Sequence, residues 1–303
     1  MPYLHHLMTV VAIVQLLLPG NLQQTSRTTQ IGRGDAQIPF TLTAHNNIVV
    51  GVRLNGTDAL NLMLHTAANE VTLTEEAVRK TKSIKFTNTD KVKSWGGESD
   101  ARFSNGNQVQ IGALRRNNVT VWEDKNSGKD TDGKFGLDFF DKQIVEINFE
   151  QSRITVHKSL PRKAETYERL KLENQGGLLF VQGNCLLEGK SYANKFLLHS
   201  GYSGGILIDD AFAASAGVDG KIKITEESSL KDSFGNTIKV KKGILPVFAL
   251  GKTQISDVSA GYFAGGLGAQ KMSVLGGEVL KQFNLIFDLA HNDLYIAPLR
   301  GRP

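Results

Sequence analysis

One arrangement occurs twice in this 303-residue chain, and that duplication limits the possible folds more than any single motif does. In the first half an apolar strand, Leu62-Met63-Leu64, ends at His65 and continues as Thr66-Ala67-Ala68-Asn69. In the second half Phe196-Leu197-Leu198 ends at His199 and continues as Ser200-Gly201-Tyr202-Ser203. Each copy then passes through a short β-like stretch into a helix. Thr74 is the expected N-cap of a helix over Glu75 to Lys80, whose first turn is acidic where the helix dipole favours it. Asp209 is the expected cap of a helix over Ala211 to Ala216, and Gly217 its stop. A second pair of segments closes each half: Phe135-Gly136-Leu137-Asp138-Phe139-Phe140 running to Ile144–Phe149, and Leu275-Gly276-Gly277-Glu278-Val279-Leu280 running to Leu285–Asp288. In both, a glycine turn opens a short helical run and a hairpin follows, returning on Ile154-Thr155-Val156 and on Leu294-Tyr295-Ile296. Two copies of one lobe are the simplest account.

Chain length is sufficient for two lobes, each with its own core. Glycines outnumber prolines 31 to 7, which favours many tight turns and hence β structure. The net charge of +5 is spread along the chain without a dense basic run, so nucleic acid is not an expected partner. Cys185 is the single cysteine; it rules out an intramolecular disulfide and a multi-cysteine zinc site, and a buried structural thiol is expected. The apolar stretch Leu7–Leu18 is short for a bilayer span and has the length of a signal-peptide core. The expected organisation is a signal peptide or anchor at 1–20, a polar leader at 21–36, a first lobe at 37–158, a charged linker at 159–173 and a second lobe at 174–298. Export to a periplasmic, envelope or secreted location follows from that reading, with no transmembrane segment beyond the N-terminal stretch. Glycine-containing hairpins around Trp95-Gly96-Gly97 and Phe234-Gly235-Asn236 are either flaps over a cleft or ordinary surface hairpins. Gly265-Gly266-Leu267-Gly268 lacks the context of a nucleotide loop, and the sequons at Asn55 and Asn118 have meaning only in a eukaryotic secretory route.

An apolar strand ending in Asp-Thr-Gly or Asp-Ser-Gly, followed later by an apolar-apolar-Gly element, marks the pepsin and retropepsin-like aspartic proteases. From about Ile38 to Pro298 this sequence resembles that family, including its two-lobed bacterial retropepsin-like members. The resemblance implies an all-β, two-lobed double barrel whose interface joins the loops carrying His65 and His199. It puts these two histidines at the positions of the catalytic aspartates. Thr66 and Ser200 match the hydroxyl residue that bonds across the interface. Gly201 keeps the family glycine while Ala67 does not, and Ser203 matches a family Ser or Thr that Asn69 replaces in the first half. Val274-Leu275-Gly276 keeps the apolar-apolar-Gly element, and Lys134-Phe135-Gly136 keeps it in part.

Peptide hydrolysis in that family needs two carboxyl groups sharing one proton, an arrangement that imidazoles do not reproduce. Two histidines meeting in a buried place disfavour a double positive charge, so at least one is neutral near pH 7. Standard acid proteolysis is therefore expected to be absent or very weak. Three readings stay open: a non-catalytic relative binding an extended peptide or other ligand between the lobes; a metal site, zinc for example, with a third ligand such as Glu70 or Asp209; and metal-free hydrolysis by the histidine pair. His5, His6, His45, His157 and His291 carry no functional reading.

Overall fold

The computed structural model describes residues 35–94, 97–125, 127–141, 143–231, 237–264 and 270–299. The first half contributes β1 (Ala36–Pro39), β2 (Thr41–Leu42), β3 (Ile48–Leu54), β4 (Asp58–Leu64), β5 (Val71–Thr74), α1 (Glu75–Lys80), β6 (Asn88–Ser94), β7 (Gly97–Ile111), β8 (Leu114–Asp124), β9 (Gly133–Phe135), β10 (Ile144–Asn148) and β11 (Arg153–His157). The second contributes β12 (Glu168–Gln175), β13 (Leu178–Leu187), β14 (Lys190–His199), β15 (Ile206–Leu207), α2 (Asp210–Ala216), β16 (Lys223–Lys231), β17 (Thr237–Leu250), β18 (Thr253–Ala264), β19 (Ser273–Gly276), α3 (Gly277–Leu280), β20 (Phe283–Asp288) and β21 (Asp293–Pro298). Three-residue-per-turn helices at Leu137–Phe140 and Arg162–Thr166 complete the elements that matter here.

Two six-stranded barrels result. In the first the order is β3-β4-β9-β5-β8-β7, closed by pairing of β7 back onto β3; in the second it is β13-β14-β19-β15-β18-β17, closed by β17 on β13. The duplication read from the sequence is thus a duplication of topology, strand for strand. Between the barrels lies a shared antiparallel layer, β1-β11-β10-β20-β21-β12, in which the closing hairpins of the two halves meet at Val145 opposite Phe287 and Ile147 opposite Leu285. The molecule is therefore mostly β and two-lobed.

The strand pattern explains each layer. In β3 the buried positions Ile48, Val50, Val52 and Leu54 alternate with more exposed ones, as expected for a strand with one face on a core. The continuous runs at the ends of β4 and β14 are buried on both faces, because there the strands pass from the barrel into the junction between lobes. Both helices are capped as anticipated. Thr74 Oγ1 accepts from the Ala77 amide at 3.1 Å, Asp209 accepts from the Phe212 amide at 2.8 Å, and Gly217 ends α2 in the left-handed region at φ 63°.

Within 159–173 the chain does not run as free linker. It makes the Arg162–Thr166 turn and then enters β12, which pairs Glu168–Lys171 with Ile296–Asp293. Leu170 and Leu172 alternate with charged residues there, and this period of two is what admits the segment to the shared sheet. The flanks of both glycine hairpins are long paired strands, Ser94 opposite Gly97 and Lys231 opposite Thr237. Trp95, Gly96 and the Phe234–Asn236 tip lie outside the described residues, as do the 265–268 glycine run and residues 1–34. Among the described residues no helix is long and apolar enough to cross a membrane. Cys185 is fully buried, and burial pushes its thiol up to about 12, as fits a structural residue.

Candidate functional site

β4 and β14 end facing one another, so the loops that follow meet at the lobe junction. Thr66 and Ser200 lock them reciprocally. The Thr66 amide donates to Ser200 Oγ at 3.0 Å and Ser200 Oγ donates to the Leu64 carbonyl at 2.7 Å; the Ser200 amide donates to Thr66 Oγ1 at 3.0 Å and Thr66 Oγ1 donates to the Leu198 carbonyl at 2.6 Å. Both hydroxyls are buried, and each acts as donor and acceptor at once. The floor beneath each loop is the glycine of its apolar-apolar-Gly element. A Cβ at Gly136 would stand 1.9 Å from the Ala68 carbonyl oxygen, and one at Gly276 would stand 2.2 Å from that of Gly204, so neither position accepts a side chain without moving backbone.

This lock brings His65 and His199 together, with ring centroids 4.4 Å apart and planes inclined by 57°. They are 5% and 1% exposed, respectively. The Ala67 amide donates to His65 Nδ1 at 3.2 Å, which makes Nδ1 an acceptor and puts the proton of the neutral ring on Nε2. Among the described residues neither ring nitrogen of His199 has a hydrogen-bond partner. Burial holds both imidazoles well below the ordinary histidine range; a charge on His199 opposes one on His65, and the Lys134 ammonium opposes protonation of either. The pair is neutral at pH 7, and the cation in its surroundings is Lys134.

The remaining residues singled out from sequence fall around this centre. Gly201 lies flat against His65: a Cβ there would be 2.3 Å from Cδ2 and 2.6 Å from Nε2 of that ring. Ala67 is buried and packs with Leu178, Phe180, Leu197, Leu207 and Val274 of the second lobe. Ser203 is exposed; its carbonyl accepts from Asn46 Nδ2 at 2.7 Å, and Lys281 donates to Asn46 Oδ1 at 2.7 Å, so Asn46 ties the first lobe to the second. Neither acidic candidate for a third metal ligand joins the histidines. Glu70 accepts from the Trp122 indole N–H, and Asp209 is engaged in capping α2 and in bonds to Asn194 and Ser273. Among the described residues no group of three or more His, Cys, Asp or Glu side chains is arranged to hold a metal ion.

Residues 50–139, which include His65 and its loop, match a family model described as aspartyl protease. That match supports a likeness to the pepsin/retropepsin-like aspartic proteases. No curated protein matches the sequence. The aspartic-protease match spans the first lobe from Val50 to Phe139, and the second lobe repeats that lobe's barrel.

Two features of this aspartic-protease-like lobe were not singled out as site residues in the sequence. Lys134 is 3% exposed and bonds Asp124 at 2.7 Å; its signal was the partial fit of Lys134-Phe135-Gly136 beside the fully apolar Val274-Leu275-Gly276. Arg116, buried in β8, donates to the Asp138 carbonyl and lies over the Phe139 ring, while Asp138 Oδ1 accepts from the Glu70 amide at 3.1 Å. That chain of contacts holds the far end of the His65 loop, where Glu70 sits at φ 67°. No spacing rule links Arg116 to residue 70, so only the fold reveals it.

Proposed function

We propose that this protein is an aspartic-protease-fold binding protein without standard acid proteolysis, which receives an extended peptide or similar ligand between its lobes. The observation that carries the reading is the combination of an intact interlobe hydroxyl lock with a neutral histidine pair at its centre. In this reading His65 and His199 occupy the places of the family's two aspartates. The acid mechanism needs one ionised and one protonated carboxyl; two neutral imidazoles supply neither the negative charge that activates water nor the acid that polarises the scissile carbonyl. A retained lock keeps both loops in register, and the unpartnered nitrogens of His199 offer hydrogen bonds to a ligand. The apolar stretch near the N-terminus supports export as the setting.

The test combines catalysis with binding. Purified protein is incubated with a mixed-sequence quenched fluorescent peptide library from pH 3 to 8, and binding of the same peptides in uncleavable form is followed by anisotropy. The expected result is cleavage at background and saturable binding that weakens in His199→Ala. Turnover with an optimum below pH 5 would overturn the non-catalytic reading.

A further inference from the structure

The two barrels differ at one wall beside the histidines. In the second lobe Phe180 pairs with Leu197, Leu197 with Val274, and Val274 with Leu207, a row that is apolar throughout and packs as one cluster with Leu178 and Ala67. The matching row in the first lobe is Val49, Met63, Lys134 and Thr72, continuing to Trp122. Met63 and Leu197 each stand two residues before their histidine, which fixes the correspondence. Flanking residues Leu62, Leu64, Val71, Leu73, Val121 and Phe135 belong to the barrel core, so the Met63-Lys134-Thr72 row is on the opposite face, outside the barrel.

That face is buried yet incompletely bonded. Lys134 donates one hydrogen bond, to Asp124, and among the described residues its other two N–H donors have no acceptor. Thr72 is 3% exposed, and among the described residues neither its hydroxyl nor the buried hydroxyl of Ser127 has a hydrogen-bond partner. Asn47, the counterpart of Leu178, reaches over to the Lys129 carbonyl at 3.3 Å, and Gly128 rests on the Met63 sulfur. Buried donors left unpaired are costly, and a row of them replacing an apolar cluster indicates a missing acceptor.

We propose that this wall is an acidic-residue subsite: it takes the side-chain carboxylate of an aspartate or glutamate in the bound peptide, with Lys134 and Thr72 donating to it. The inference rests on the cleft-binding reading and gives it a substrate class. Asp124 neutralises Lys134 in the free protein, and the flexible three-donor ammonium can hold a second carboxylate without releasing the first. The segment around Gly128 covers the wall and is displaced when the side chain enters. Its link to Asn47 is one long hydrogen bond.

The experiment uses an array of uncleavable decapeptides in matched sets, each with Glu, Gln, Leu or Lys at the centre of otherwise mixed sequence. It is read with the wild-type chain, Lys134→Met, and Lys134→Met combined with Asp124→Asn so that no carboxylate is stranded. Wild type is expected to favour Glu over Gln roughly tenfold, the scale of one charge-assisted hydrogen bond. In both variants that ratio falls to about one. Binding by wild type with no Glu preference, or a preference that survives in the double variant, sinks the subsite and leaves the cleft reading standing. Absence of binding to every peptide sinks the cleft reading and the subsite with it.

Discussion

His65 lies against Gly201 so closely that the glycine and the imidazole must be considered one unit. A methyl group at residue 201 would overlap Cδ2 and Nε2 of the ring, and the ring is held on its other edge by the Ala67 amide. Gly201→Ala is therefore expected to destabilise the fold by about 1–3 kcal/mol, the usual cost of overpacking. His65→Ala opens that space, so the double variant is expected to recover most of the loss. Chemical denaturation of the four proteins gives the coupling directly, and additivity within about 0.5 kcal/mol would show that the contact carries no energy. The same neighbourhood bears on reversal. His65→Asp with His199→Asp introduces two carboxyls, but the Lys134 charge, which acts on both positions, favours ionising both and so opposes a shared proton. Acid-optimum cleavage of a fluorescent peptide library is expected to be weak in that double variant and to rise when Lys134→Val copies the Val274 of the other lobe.

At the scale of elements, the lock between the loops after β4 and β14 is the feature most exposed to a single change. Thr66→Val removes the acceptor of the Ser200 amide and the donor to the Leu198 carbonyl, both buried. The expected cost is on the order of 1–3 kcal/mol for each stranded group, larger than for Ser203→Ala at the exposed rim. Thermal unfolding of the two variants side by side checks the ranking. This lock was expected from the family resemblance, which Thr66 and Ser200 carry by following equivalent histidines, and the helices were legible because Thr74, Asp209 and Gly217 are strong local signals. β12 was not, since its few alternating leucines lie among charges that read equally well as a linker. Lys134 was visible as a departure from a pattern, but its position beside both histidines depends on β9 being inserted between β4 and β5, a pairing that local periodicity does not encode.

For the whole molecule, three buried histidines set opposing limits on stability. Burial holds His65 and His199 neutral in the fold, whereas in the unfolded chain each takes up a proton near pH 6.5; below that pH the unfolded state binds more protons and the fold loses stability as pH falls. His157 works in the opposite sense. Burial alone would lower it, but its two ring nitrogens bond Glu146 and Asp35 at 2.8 Å each, and the net shift is upward. Its contribution is complete below pH 6.5 and is lost as pH rises through its folded value. Burial would raise Glu146, but its bonds to His157 and to Lys163, the latter at 2.5 Å, hold it down at about 2, and its support is lost progressively as pH falls from about 4.5 toward that value. Because Asp35, Glu146, His157 and Lys163 join the first strand, the closing hairpin and the crossing between halves, loss of the His157 cation loosens the shared sheet, while protonation at the junction strains the lobe interface. Thermal midpoints measured from pH 4 to 9 are expected to peak near 6.5. Replacing His157 by Gln should flatten the alkaline side alone, and replacing both His65 and His199 by Asn should flatten the mildly acidic side alone. A midpoint that keeps rising toward pH 4 would mean that the histidine pair accepts protons freely, and that the neutral centre on which a non-catalytic cleft depends does not exist in solution.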